Sequence, residues 1–325
     1  MKTYTLICFF LALGMILSPL YTVSKTKDIL PQEIIEETSV TEAITNQPEQ
    51  IPTVKVMSAS SNNITEMPLK EYLIGVVAAE INPSYHEEAI KAQTIASHTL
   101  LLYVKNHKSD KLKGADISDS SATHQGYMSE ADQKEKWGDS FETYHSKIAK
   151  CVDEVINQTL QYDGEYINAA FHAISNGKTE NCKDVWGGSF PYLTSVPSIG
   201  DKLSPAYQSQ VTVTEKEFKK KLKEHNIEFK DDAKKWIENI TNTETGMVKS
   251  IQICGKTLKG TEFRTIFSLK SSTFTYKYED EKFIFTVNGY GHGVGMSQYG
   301  ANYMAQQGFT YKEILGHYYQ GAEII

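Results

Sequence analysis

The chain has 325 residues and a formal net charge of −7, with 40% hydrophobic and 22% charged side chains. That balance fits a folded globular body and excludes a wholly disordered chain. A pI near 5.8 and the lack of any basic block argue against a nucleic-acid partner. Nineteen tyrosines suit either sugar-ring faces or an ordinary core. Cys8, Cys151, Cys182 and Cys254 leave an odd number in the body, which is neither a disulfide framework nor a CxxC metal site.

Lys2 is followed by an apolar run from about Tyr4 to Val23. A helix of roughly 20 residues spans a bilayer core. The run ends in Ser18-Pro19-Leu20-Tyr21 with no Ala-x-Ala, which favours an uncleaved anchor over residues 1–24 rather than a removed signal peptide. Either way the remainder is expected outside the cytoplasm, as a single-pass protein of the cell membrane if the anchor is kept. Lys25 and Lys27 put positive charge on both flanks, so orientation is weakly marked. Residues 25–53 are polar and acidic and read as a flexible tether. The folded body is expected over 54–325.

Pro68 suits a helix start. Leu69, Tyr72, Leu73, Val76 and Val77 then recur at spacings of three and four, an apolar helical stripe. The next step lands on Glu80. A carboxyl on a core-facing stripe is costly to desolvate and its pKa should rise, so it could donate and retrieve a proton near neutral pH. The same pattern also allows Glu80 to escape the stripe at the helix end and be solvated or ion-paired. Asn82-Pro83 stops the helix. Ser84 and Glu87 have capping-box spacing for a second helix, running through Ala89, Ala92 and Ala96.

After a predicted strand at 166–170, residues 171–188 switch to short polar residues and glycines, including His172, Ser175, Lys178, Thr179, Glu180 and Trp186. Such a loop can present backbone N–H groups to a ligand, or simply turn at the surface over Trp186. Residues 288–301 carry glycines at 289, 291, 293 and 295, which permit close backbone approach. The strands predicted before them, 274–278 and 283–287, form a hairpin rather than a βαβ unit, so a nucleotide site is rejected. His292, between two of these glycines, is accessible for substrate or metal, or is structural.

The fold expected is α+β, with mixed helices and mostly antiparallel strands. Helices dominate to about residue 155. Strands are expected at 208–214 and 247–254, with a lysine-rich helix at 215–225. Segment 215–238 reads as a solvated peripheral element.

Three ordered motifs resemble the stage II sporulation protein D family. They are Glu71-Tyr72-Leu73-Ile74-Gly75-Val76-Val77-Ala78-Ala79-Glu80 with Glu88-Ala89-Ile90-Lys91-Ala92-Gln93, then Gly177-Lys178-Thr179-Glu180-Asn181 with Asp184-Val185-Trp186-Gly187-Gly188, then Tyr290-Gly291-His292-Gly293-Val294-Gly295-Met296-Ser297-Gln298-Tyr299-Gly300-Ala301. The resemblance covers roughly 54–325. It implies a peptidoglycan lytic transglycosylase, with relatives that act as amidase enhancers. Glu80 matches the family's catalytic glutamate. Gln93, His172, Ser175, Lys178, Thr179, Glu180, Trp186, His292, Ser297 and Gln298 are the expected substrate-binding residues. No cofactor and no metal are expected. The partners implied are peptide-stripped glycan strands, a cell-wall amidase and a membrane-protein complex, during engulfment of the forespore.

Departures from the family pattern are His98, where an arginine is usual, and the run Ala173-Ile174-Ser175-Asn176-Gly177, which replaces one richer in Ser, Thr and Gly. Residues 116–127 lack the cysteines with which some members bind zinc. The implied reaction closes a 1,6-anhydro ring without water, so one glutamate suffices where paired-carboxylate glycosidases need two. Two rivals stand beside it: a non-catalytic glycan module that stimulates an amidase, and a metal hydrolase using His172 and His292.

Overall fold

A computed structural model describes residues 52–325. The expected anchor at 1–24 and nearly all of the tether lie outside the described residues. Among these, no helix is long and apolar enough to cross a membrane. The architecture is α+β.

Strands β1 (Thr53–Met57) and β2 (Ile64–Pro68) form an antiparallel pair. Helix α1 (Leu69–Glu80) follows directly on Pro68. Tyr72 through Ala78 are all buried, so this helix is enclosed on every face rather than along one stripe. The second helix, α2 (Glu87–Asn106), is capped by His86, whose side chain accepts the Glu88 N–H. The expected Ser84 cap is not formed. Ser84 instead bonds Asn82 through both N and Oγ, because the chain after Pro83 first makes a turn.

Strand β3 (Ile117–Ser118) joins β1 in parallel. Helices α3 (Glu130–Trp137) and α4 (Phe141–Val155) come next, and α4 packs on α1 and α2. Strands β4 (Leu160–Tyr162) and β5 (Glu165–Tyr166) form a short hairpin. The strand expected at 166–170 is therefore split. Tyr166 ends β5, and pairing resumes only at β6 (Phe171–His172). A short helix, α5 (Cys182–Trp186), follows.

The next stretch builds a second core. Strand β7 (Gln208–Thr214) leads into α6 (Glu215–Lys221), then β8 (Ile237–Asn242), β9 (Val248–Ile253), β10 (Lys256–Lys259), α7 (Gly260–Phe267), β11 (Phe274–Glu279) and β12 (Lys282–Asn288). The predicted hairpin is β11–β12, antiparallel, with β7 on its other edge. Segment 215–238 is not a solvated appendage. Phe218, Leu222 and Trp236 are fully buried. Phe218 stacks on Phe283 at 4.4 Å, with Phe263 and Phe267 beside it. The lysines cover an aromatic centre, and Lys219 lies over the Trp236 ring, its stem shielding apolar surface.

The chain then returns to the first core through β13 (Met296–Ser297), α8 (Gln298–Gln306), α9 (Tyr311–Tyr318) and β14 (Glu323–Ile324). Strand β13 pairs in parallel with β6, and β14 closes onto β4. Cys151, Cys182 and Cys254 are free thiols.

Candidate active site

A cleft of about 1400 Å³ is lined by Glu80 at the end of α1, by residues of the 119–127 loop, by His172 and Trp186, by Tyr290 and His292, and by Arg264 of α7.

The position of Glu80 is set by the loop beside it. Gln125 is buried and donates to the Tyr72 hydroxyl and to the Ser97 carbonyl. The next residue but one, Tyr127, stacks on Tyr72 and crosses Gly75, where a Cβ would sit 2.3 Å from its ring. Met128 N–H donates to the Gly75 carbonyl. Between these anchors Gly126 points its N–H at Glu80 Oε1. Glu80 itself is half-buried. Burial raises its pKa above the ordinary 4.5, and the Gly126 N–H opposes that by favouring the anion. Asp119 is the second carboxylate on the cleft wall, and its Oδ1 accepts the Ala59 N–H.

The histidine wall comes from the two glycine-bearing segments lying on each other. Ile174 and Tyr290 exchange backbone hydrogen bonds, Glu180 N–H donates to Gly293 O, and Met296 N–H donates to Ala170 O. The alternating glycines all have positive φ. At Gly295 (φ +72) a Cβ would come 2.0 Å from the Ala170 carbonyl, and at Gly291 (φ +113) 2.7 Å from His172 Cβ. Only glycine lets the segments meet.

Val294 then sets both imidazoles. Its carbonyl accepts from His172 Nδ1, and its N–H donates to His292 Nδ1. His172 is therefore the Nδ1–H tautomer, and its Nε2 is a buried acceptor without a partner among the described residues. The two rings lie 5.7 Å apart between centroids, and His292 meets Trp186 at 4.9 Å. Burial, helped by His292 and Arg264, pushes His172 down to about 3; burial and Arg264 push His292 down to about 4. Both are neutral near pH 7. No third His, Cys, Asp or Glu joins them to make a metal-binding group among the described residues.

Of the residues expected from sequence, Glu80, His172, Trp186 and His292 share this cleft. The expectation of direct substrate contact does not fit the burial of several others. Gln93 bonds Ser97 and accepts from Gln298, tying α2 to α8. Ser297 donates to Asp201 and caps α8 through Gly300 N–H. Ser175 N–H donates to the same Asp201 carboxylate, and Ser175 Oγ accepts from Gly177. Thr179 is bonded to Val196. These five are buried and hold the wall in place. Glu180 is buried against Thr243 and, with the exposed Lys178, lines a separate small recess. His98 is a buried residue of α2 and its pKa is lowered by desolvation, so it does not supply the charge of an arginine.

Sequence reading missed Arg264, Asp119, Gly126 and Tyr290. Arg264 had a signal: it is the chain's single arginine. Asp119 and Gly126 had none, since only the folded loop brings Gly126 to Glu80 and Asp119 to the cleft wall.

The model for the family described as "Stage II sporulation protein" matches residues 58–162. Stage II sporulation protein D of Bacillus subtilis (strain 168) is 40% identical over 286 residues, covering 87% of this chain and 81% of the relative. The protein of that name in Bacillus amyloliquefaciens is 38% identical over 274 residues, 83% of this chain and 78% of the relative. A protein named amidase enhancer, also from B. subtilis (strain 168), is 28% identical over 304 residues, 78% of this chain and 40% of its own length.

Proposed function

The chain belongs to the stage II sporulation protein D family, and from that premise we propose that it is a sporulation peptidoglycan lytic transglycosylase with Glu80 as sole acid and base. In this reading residues 1–24 anchor it in the cell membrane and the body acts outside the cytoplasm on peptide-stripped glycan. The observation that carries the reading is a carboxyl, its pKa raised by burial, on the wall of a cleft that also offers exposed aromatic faces. Trp186 is 46% and Tyr290 47% exposed, large apolar surfaces that fit sugar rings.

The step balances without water. Glu80 Oε1 accepts from Gly126, so Oε2 carries the proton. That proton passes to the oxygen between N-acetylmuramic acid and N-acetylglucosamine, and the C1–O4 bond breaks. The carboxylate then takes the proton of the muramyl C6 hydroxyl as its oxygen bonds C1. Glu80 ends protonated, and the product carries a 1,6-anhydro ring. The Gly126 N–H steadies the anion midway.

Asp119 favours a second reading in which two carboxylates hydrolyse the bond with water. The relative named amidase enhancer supports a third, in which the cleft only holds glycan for an amidase partner. Glycan cleavage by the parent chain separates the third from the others, and Glu80→Gln tests the residue that carries it. Release of muropeptide fragments from peptide-free glycan should vanish in a variant that still folds and binds. Undiminished release by that variant overturns the role of Glu80.

A further inference from the structure

Of the 33 basic side chains in this chain, Arg264 alone is an arginine, and it lines the same cleft as Glu80. Its helix α7 is fixed to the second core. Phe263 and Phe267 are buried there, and Gly260 packs so closely that a Cβ would fall 1.8 Å from the Val248 carbonyl. The turn after the helix returns to the same residue. Leu269 N–H donates to the Arg264 carbonyl, and Arg264 Nε donates to the Leu269 carbonyl at 3.3 Å.

One of the guanidinium's five N–H donors is thus spent on aiming it. The terminal amino groups have no carboxylate partner. Every ion pair among the described residues uses lysine or His225. Glu80 and Asp119, the carboxylates of this cleft, are both beyond ion-pair distance of it. The histidines nearby are neutral and offer no competing charge. A partly desolvated cation that stays charged, held rigid and left unpaired, fits an anion brought by the ligand.

We infer that Arg264 is a carboxylate subsite that takes the free lactyl carboxylate of a peptide-free muramyl residue. This rests on the glycan reading above. The geometry of a guanidinium matches a carboxylate bidentately. The lactyl group is a carboxylate only when no peptide is attached. With a stem peptide it is a neutral amide, which cannot accept the same charge-assisted pair. Arg264 would therefore make the cleft discriminate between stripped and peptide-bearing strands.

The test uses the full chain in detergent and three glycans: peptide-free, peptide-free with its carboxylates converted to methylamides, and peptide-bearing. Binding is read calorimetrically in the Glu80→Gln background, so that it is independent of turnover. The original Arg264 should bind the free-acid glycan about 10- to 100-fold more tightly than the methylamide. Arg264→Gln should bring the first down to the second and leave the methylamide unchanged, and Arg264→Lys should restore part of the ratio. A ratio that survives Arg264→Gln overturns the proposal. So does tightest binding to peptide-bearing strands that Arg264→Gln abolishes, since the carboxylate recognised would then belong to the stem. If no variant cuts glycan, the transglycosylase reading falls while the binding ratio still decides the role of Arg264.

Discussion

Glu80 accepts the backbone N–H of Gly126 through Oε1, and that single bond joins a buried helix end to a loop 46 residues later in sequence. The loop is held by Gln125 and Tyr127 on either side, so the donor is fixed before any ligand arrives. One carboxyl oxygen is anchored and the other is left for the proton. Burial and the Gly126 bond act on the pKa in opposite directions, and burial is the larger.

Activity should therefore fall as pH rises through the pKa of Glu80, because the acid must enter the cycle protonated. The kcat/KM of the free enzyme should drop about tenfold per pH unit on that limb, which should lie above the ordinary carboxyl value of 4.5. A pH–rate profile on peptide-free glycan checks this. A limb at the ordinary value means that Glu80 is solvated.

Stability carries the same signature. The folded state holds the Glu80 proton to higher pH than the unfolded chain does, so this residue's favourable contribution is complete below about pH 4.5 and is lost as pH rises through the folded pKa. Glu80→Gln has no such loss. Its unfolding free energy, read by urea denaturation, should match the parent's at pH 4 and exceed it at pH 8, by about 1.4 kcal/mol for each tenfold change in proton affinity.

Gly295→Ala should destabilise by at least about 3 kcal/mol, adding overpacking to a left-handed backbone, since its Cβ meets the Ala170 carbonyl. Gly308 also has positive φ but nothing within 4 Å. Gly308→Ala should cost only about 1–2 kcal/mol. Urea denaturation of both variants reads the difference.

Trp236→Ala should cost about 3–5 kcal/mol, because its ring is fully buried against Phe283 and Phe229. Lys235→Ala, next to it and exposed, should stay within about 0.5 kcal/mol. Equal small effects would return segment 215–238 to the periphery.

Trp186→Ala should leave the melting temperature nearly unchanged, since the ring is 46% exposed. Glycan affinity should fall about tenfold. Titration with peptide-free oligosaccharide checks it.

Much of this site could be read along the chain. Glu80 stood out because a carboxyl continued an apolar helical period, although the helix proves buried all round and the 119–127 loop does the covering. The alternating glycines marked a close approach, and it is the approach to residues 170–180. What stayed hidden depended on partners distant in sequence. Phe218 and Trp236 sit among lysines, and only the β7–β12 pairing turns them inward. Gln93, Ser297 and Gln298 look like ligand-binding residues in isolation, but their polar atoms are spent joining α2, α8 and Asp201. Ser84 lost its capping role to His86 because the turn after Pro83 consumed it first.

The claim on which most depends is that Glu80 works without water. Cleavage of peptide-free glycan in H₂¹⁸O, followed by mass spectrometry of the new muramyl ends, tests it directly. The account predicts 1,6-anhydro ends, lighter by one water than reducing ends and free of ¹⁸O, and none at all from Glu80→Gln. Reducing ends carrying ¹⁸O at C1 would contradict it and turn attention to Glu80 and Asp119 as a hydrolytic pair.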